Sequence, residues 1–274
     1  MKILIAADME GITGVVHWDQ VDPLHPEYSR FRKLMTGDVN AAIRGAFAGG
    51  ATSVVVSDGH NNGRNILIEE LDPRATLNSG SPARLSMVNG VDEGVDGVIF
   101  VGYHGRMGAQ NAILDHTWSD ERVSGLWIND RAFGESGLNG AACGHFDVPV
   151  IMASGDQTLC AEVQDFFGNK IETAQVKKAV SRMSAECLPP IVTSNLIEEA
   201  AKRAVINLSS KKAPKPFKVS KPIKLTIEFV QSEMADRASF MPHAKRGIDR
   251  RVEYVADDMI TIYLAFRALQ ALAR

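Results

Sequence analysis

Cysteine is scarce in this 274-residue chain: Cys143, Cys160 and Cys187 are far apart and form no C-x-x-C pair. An odd, scattered set excludes a disulfide framework and a zinc ribbon, and fits a reducing compartment. Long apolar runs are missing as well. No stretch approaches the roughly 18 apolar residues of a membrane span. The first apolar run, Ile3 to Ala7, stops at Asp8, too short for a signal-peptide core. Positive charge is not in excess either, with 30 Lys and Arg against 33 Asp and Glu and a formal charge of −3. That balance argues against a dedicated nucleic-acid partner. Neither G-x-G-x-x-G nor a Walker A loop occurs, and none of Ser57, Ser81, Ser154 and Ser239 sits in a G-x-S-x-G elbow. The 45% of hydrophobic residues can bury a sizeable core, in one large or two unequal domains. The expectation is a soluble, cytoplasmic α/β protein with no nucleic-acid or membrane partner.

Short apolar runs that end in glycine or a polar turn predict buried strands at Lys2–Ala7, Ser53–Ser57, Gly97–Val101, Val123–Ile128 and Val148–Ala153. Helical spacing covers Glu27 to Phe47, stopping at Gly49-Gly50, and recurs at Gly134–Gly144 and Asp156–Phe167. Continuous apolar strands alternating with helices imply a mostly parallel sheet flanked by helices. The C-terminal third differs. A helix at Thr193–Leu208 precedes a lysine- and proline-rich stretch, Ser209 to Pro222, expected to be an exposed connector. Strands follow at Ile223–Val230 and Arg251–Val255, then an amphipathic helix, Asp258 to Leu272, capped by Asp257. The expected organisation is a metal-binding catalytic α/β domain over residues 1–190 and a smaller C-terminal α+β domain over 191–274.

The polar residues after the first three strands carry the chemistry. They are Asp8-Met9-Glu10-Gly11, Asp58-Gly59-His60 and Gly102-Tyr103-His104. Ligands bind outside the carboxyl ends of strands in an open parallel sheet. Asp8, Glu10, His60 and His104 therefore converge on one sheet edge, and carboxylate oxygens with imidazole nitrogens form a donor set suited to Zn2+ and similar divalent ions. Alone, each is an ordinary turn or cap residue; four at three successive strand ends point to a metal site. Asp8 and Glu10, two apart, share one face of an extended chain at roughly 7 Å. With a fifth acid the set would suit two metals bridged by a carboxylate.

Other residues are weaker signals. His116, in Asp115-His116-Thr117, is either a site residue or a surface imidazole, and Glu135 either a site acid or a first-turn acid favoured by the helix dipole. His17, His25, His145 and His243 have no partner at ligand spacing. Cys143 and Cys160 fall in helical stretches and are expected to be buried small residues.

Taken in order, Asp8-Met-Glu-Gly-Ile-Thr-Gly14, Ser57-Asp-Gly-His-Asn-Asn-Gly-Arg-Asn65, Gly102-Tyr-His104, His116-Thr117, Gly134-Glu-Ser-Gly-Leu-Asn139 and Val148-Pro-Val-Ile-Met-Ala-Ser-Gly-Asp156 resemble the M55 family of zinc D-aminopeptidases. The resemblance implies two Zn2+ ions per chain, held by Asp8, Glu10, His60, His104 and Glu135 with Asp8 as the bridge. It implies a catalytic His116, and a homo-decamer of two stacked pentameric rings whose channel admits small peptides. The implied activity is removal of the N-terminal residue from short peptides, D-amino-acid dipeptides such as D-Ala-D-Ala among them. Asn139 is assigned to substrate positioning, with a helix-turn hydrogen bond as its alternative. The sequence departs from the family pattern at Asn61-Asn62, where glycines are frequent. A two-metal amidase or phosphoesterase is the other hydrolytic option, with Arg64 available to a phosphate or a substrate carboxylate. A metal-dependent structural ring without turnover, or a binding module without cleavage, are the non-catalytic ones.

Overall fold

The computed structural model describes residues 1–274. The first half of the chain runs β1 (Lys2–Ala7), α1 (Tyr28–Ala48), β2 (Ser53–Asp58), β3 (Ala75–Asn78), β4 (Gly97–Val101), β5 (Val123–Ile128), β6 (Arg131–Ala132) and α2 (Glu135–His145). The second half runs β7 (Val150–Asp156), α3 (Gln157–Phe167), β8 (Glu172–Ser181), β9 (Ser184–Cys187), α4 (Pro190–Ser209), β10 (Ile223–Phe229), α5 (Ser232–Ala238), β11 (Lys245–Arg246), β12 (Arg251–Ala256) and α6 (Met259–Leu272).

Seven strands form one sheet in the order β3-β2-β1-β4-β7-β8-β9, parallel except for β9. Alternate residues of β1 serve two cores. Ile3, Ile5 and Ala7 pack with α1 and α4, whereas Leu4 and Ala6 face the core that α2, α3 and α6 share. Burial on both faces is why these strands read as unbroken apolar runs. A second, antiparallel sheet, β11-β12-β10-β5-β6, closes over that latter core through Leu126, Leu225, Ile227 and Val252. The chain is thus mixed α/β, with a mostly parallel sheet flanked by helices and a smaller antiparallel sheet.

Two expectations, the sheet that β5 joins and the cap of the last helix, are corrected here. Val123–Ile128 is a strand, but it pairs with β10 in the antiparallel sheet and not in the parallel one. Its partner lies about a hundred residues downstream, beyond the reach of local patterning. Each of the two sheets and its covering helices draws on residues from both sides of residue 190. β5 and β6 join the C-terminal strands, while α4 packs on α1 and β8 against the large sheet. At the last helix the cap is Asp258, which accepts from the Thr261 amide at 2.8 Å, not its neighbour Asp257. The Ser209–Pro222 connector carries exposed lysines, yet Phe217 anchors it among the Phe133, Phe166 and Phe167 rings.

The strand order β2-β1-β4 puts the carboxyl ends that bear the acidic and histidine motifs side by side. Just beyond the ladder, Asp8 N donates to Val101 O, Gly59 N to Ala7 O and Gly11 N to Gly102 O, each at 2.8 Å. Glycine is required where these loops touch. Gly102 has φ +72°, and a Cβ there would stand 2.3 Å from Asp8 O; one on Gly11 would stand 1.8 Å from Tyr103 O.

The three thiols are unpaired, with Cys143 and Cys160 buried and Cys187 exposed. Burial pushes the Cys143 thiol far up and that of Cys160 to about 12, which removes the reactive thiolate. In the folded protein an aromatic disulfide reagent should titrate one thiol, Cys187, and three only after denaturation. Fast reaction of two or more native thiols would contradict this packing.

Candidate metal centre

The site is assembled from the ends of three adjacent strands, a loop and a helix start. Asp8 and Glu10 follow β1, His60 follows β2 and His104 follows β4; His116 comes from the loop before β5, and Glu135 opens α2. None of the six is more than 8% exposed. The strand-end rule places the first four at one edge, and the family resemblance adds His116 and Glu135. The structure brings all six side chains into one cluster.

Asp8 stands between two halves of that cluster. Its Oδ1 lies 3.5 Å from His60 Nδ1, which is also 3.2 Å from Glu10 Oε2. Its Oδ2 lies 3.4 Å from His104 Nε2, which is equally 3.4 Å from Glu135 Oε1. His116 Nε2 approaches the same Glu135 oxygen at 3.6 Å, and its ring stacks on His104 at 4.1 Å between centroids. The donor atoms of Asp8, Glu10 and His104 lie within 4.8 Å of one another, as do those of His104, His116 and Glu135.

The far nitrogen of each histidine is already committed to a backbone carbonyl. His60 Nε2 donates to Val21 O at 2.8 Å, His104 Nδ1 to Gly105 O at 3.0 Å and His116 Nδ1 to Leu114 O at 2.8 Å. A carbonyl only accepts, so the proton of each neutral ring sits on that side and the lone pair of the other nitrogen faces carboxylates. Lone pair against carboxylate repels unless a cation or a second proton lies between them. Glu10 Oε2 and His104 Nε2 are buried without any hydrogen-bond partner, the signature of a group still owed a ligand. Carbonyl-oriented imidazoles are also the usual arrangement around protein metals. The residues therefore fit a divalent cation.

Ionisation follows the same demand. Burial pulls the His60 pKa down, but the Glu10 charge and the Asp8 carboxylate outweigh it and hold it well above the ordinary value. Burial would likewise lower His104, yet attraction from Glu135 and Asp8 holds it well above the ordinary imidazole value. Burial would raise Asp8, yet the adjoining His104 and His60 imidazoles hold it far below the usual carboxylate range.

Above the cluster lies a cavity of about 480 Å3, walled by Trp18, Met87 and Trp118 and rimmed by Asp22, Asp120 and Glu121. Such a volume suits a ligand of dipeptide size. Trp18 also meets His116 edge-on, with ring centroids 5.3 Å apart.

Three motif residues stand outside the cluster and the cavity. Asn139 is fully buried, does not line the cavity, and is held by Tyr103 and Tyr263, whose hydroxyls lie 3.1 and 3.0 Å from its amide. On α2 it stands four residues from Glu135, one turn deeper on the same face, so the motif carries it into the core. Asp58, despite its place beside His60, accepts from Asn65 N, Asn65 Nδ2 and Ile66 N at 2.6–2.8 Å and shapes the loop. Arg64 is exposed and outside the cavity. Asn61, at the family's glycine position, takes φ +47° and lines the cavity, a conformation asparagine tolerates better than most residues.

Two supports escaped the sequence. Arg182 Nε reaches Asp115 Oδ1 at 3.0 Å while its guanidinium lies 5.5 Å from the Trp18 ring centroid, which braces the loop carrying His116. Lys177, buried on β8, had no signal beyond a Lys177-Lys178 pair that reads as solvated.

The likeness to known proteins extends over the whole chain. A D-aminopeptidase of Bacillus subtilis (strain 168) is 36% identical over 275 residues, spanning 100% of this chain and 98% of that protein. The solved structure of the Zn-dependent D-aminopeptidase DppA from Bacillus subtilis, described as a self-compartmentalizing protease, superposes with a TM-score of 0.94 at 35% identity. It covers 100% of this chain and 98% of its own. The family model for peptidase M55, D-aminopeptidase, matches residues 1–268, and the chain belongs to that family.

Proposed function

We propose that this chain is a two-zinc D-aminopeptidase that removes the N-terminal residue from short peptides containing D-amino acids, D-Ala-D-Ala among them. One observation carries the two-metal part. The two oxygens of Asp8 serve different half-sites, one completed by Glu10 and His60 and the other by His104 and Glu135. Charge permits it, since three buried carboxylates against two divalent ions leave a net of only one positive charge. Zinc held there supplies Lewis acidity, polarising a peptide carbonyl and acidifying water.

The chain's own residues supply the rest. His116 has its Nδ1 proton fixed on Leu114 O, so Nε2 is the position that takes a proton and passes it to the leaving amine. Trp18, Met87 and Trp118 give the cavity an apolar wall beside the cluster. Asp22, Asp120 and Glu121 outnumber the one cation of the lining, Arg122, which favours a substrate carrying a free ammonium over a phosphate dianion. That rim, with Arg64 outside the cavity, favours peptide over phosphate ester. The D-aminopeptidase names of the relatives, alike over the whole length, support the stereochemistry. A cytoplasmic decamer of two five-membered rings is proposed alongside, in keeping with the self-compartmentalizing relative and with three unpaired thiols.

Chelator-stripped protein should release no amino acid from D-Ala-D-Ala and recover with added Zn2+, with L-Ala-L-Ala cleaved more slowly. Full activity in the stripped, metal-free protein, or preference for the L pair, would sink the proposal. His116→Ala should lower kcat by about 10^2-fold or more while two zinc ions per chain remain; loss of zinc would make His116 a ligand instead. Asn139→Ala strands the two tyrosine hydroxyls. It should cost about 1–3 kcal/mol in urea unfolding and leave KM unchanged, whereas a raised KM would return Asn139 to the substrate.

A further inference from the structure

Lys177 is 1% exposed, yet its side chain meets no carboxylate at hydrogen-bond distance. Its Nζ donates to Glu10 O at 2.7 Å, Ile12 O at 2.9 Å and Val15 O at 2.7 Å. Those three bonds use all three ammonium hydrogens. Burying an ammonium is costly unless the geometry repays it, and here the repayment goes to one loop. An irregularity where β7 meets β8 pairs Asp156 with Lys177, and the consecutive residues Val176 and Lys177 are both buried, against the alternation of a regular strand.

We infer that Lys177 is a positioning residue for the metal centre, acting through the loop that presents Glu10 and orients His60. The inference rests on the metal reading given above. Glu10 has its carboxylate in the cluster and its carbonyl on the Lys177 ammonium, so the ammonium fixes the peptide from which that carboxylate projects. The same loop runs on to Val21, whose carbonyl holds the His60 ring. Its other ties lie around Lys177 and do not replace it. Gly11 N is bound to Gly102 O, and Thr13 to the Asp38 carboxylate. The opposite half-site has separate supports, with His104 on Gly105 O and Glu135 receiving the Trp118 amide at 2.7 Å. Loss of Lys177 therefore acts on one metal and spares the other.

The test compares the zinc-loaded wild type with Lys177→Met, Lys177→Gln and Val205→Ala, measuring zinc per chain against a graded competing chelator, with thermal unfolding in parallel. Val205 is buried on α4 against Gly49 at the end of α1, and reports loss of stability alone. Wild type and Val205→Ala should both hold two zinc ions with the same affinities. Lys177→Met should release one ion at about 10–100-fold lower chelator and retain the other. Lys177→Gln, which keeps two donors, should fall between. Should Lys177→Met fail to fold, Lys177→Gln alone decides. Wild-type affinity for both ions, equal weakening of both, or failure of both variants to fold would each overturn the inference. A wild type holding fewer than two ions overturns the two-zinc reading first, and the inference with it.

Discussion

Three carboxylates buried against three imidazoles set the terms for everything around them. Each ring already directs its proton at a peptide carbonyl, so the facing surfaces are all electron-rich. Such a cluster is stable only with positive charge inside it, and the surrounding structure keeps it from relaxing. Asp8 is pinned by the strand ladder, Glu135 by the first turn of a helix and a loop amide, and the histidines by carbonyls behind them. Side chains free to rotate would separate and take up water. Held in place, they form a preorganised receptor for cations.

The parallel sheet supplies this rigidity cheaply. Three neighbouring strands end at one edge, and the loops that leave them are cross-bonded within a residue or two of the last ladder pair. Gly11 and Gly102 let those loops come into backbone contact, which leaves the ligands nearly the precision of the strands themselves. The cavity walls are another matter. Trp18 opens a single 3-10 turn between β1 and α1 and Trp118 lies in the loop before β5, so pocket shape can vary while the cluster stays fixed.

Much of the centre was legible because its signals are local. β1, β2 and β4 are unbroken apolar runs that stop at a carboxylate or histidine, and the rule for parallel sheets puts those terminal residues at the ligand-binding edge. The illegible features depend on distant pairing. β5 is a correct strand in an unexpected sheet because its partner is β10. Lys177 looks like half of a solvated pair until an irregular ladder turns it inward. Asp257 and Asp258 satisfy the same capping grammar, and only the register of α6 chooses between them. Asn139 belongs to the right motif but lies one helical turn too deep, where it ties Tyr103, just past β4, to Tyr263 of α6.

That last tie has a consequence for the order of events at the ribosome. Every residue of the cluster lies between Asp8 and Glu135, so all of them leave the exit tunnel early. Yet α2, which bears Glu135, is braced through Asn139 by Tyr263, and the core beneath it is closed by β10, β12 and α6. Contacts of such long sequence separation form late. A nascent chain thus carries the complete set of donors well before it can hold them in register. The donors alone therefore do not make the centre, which is complete only once α6 and the strands before it have packed beneath α2.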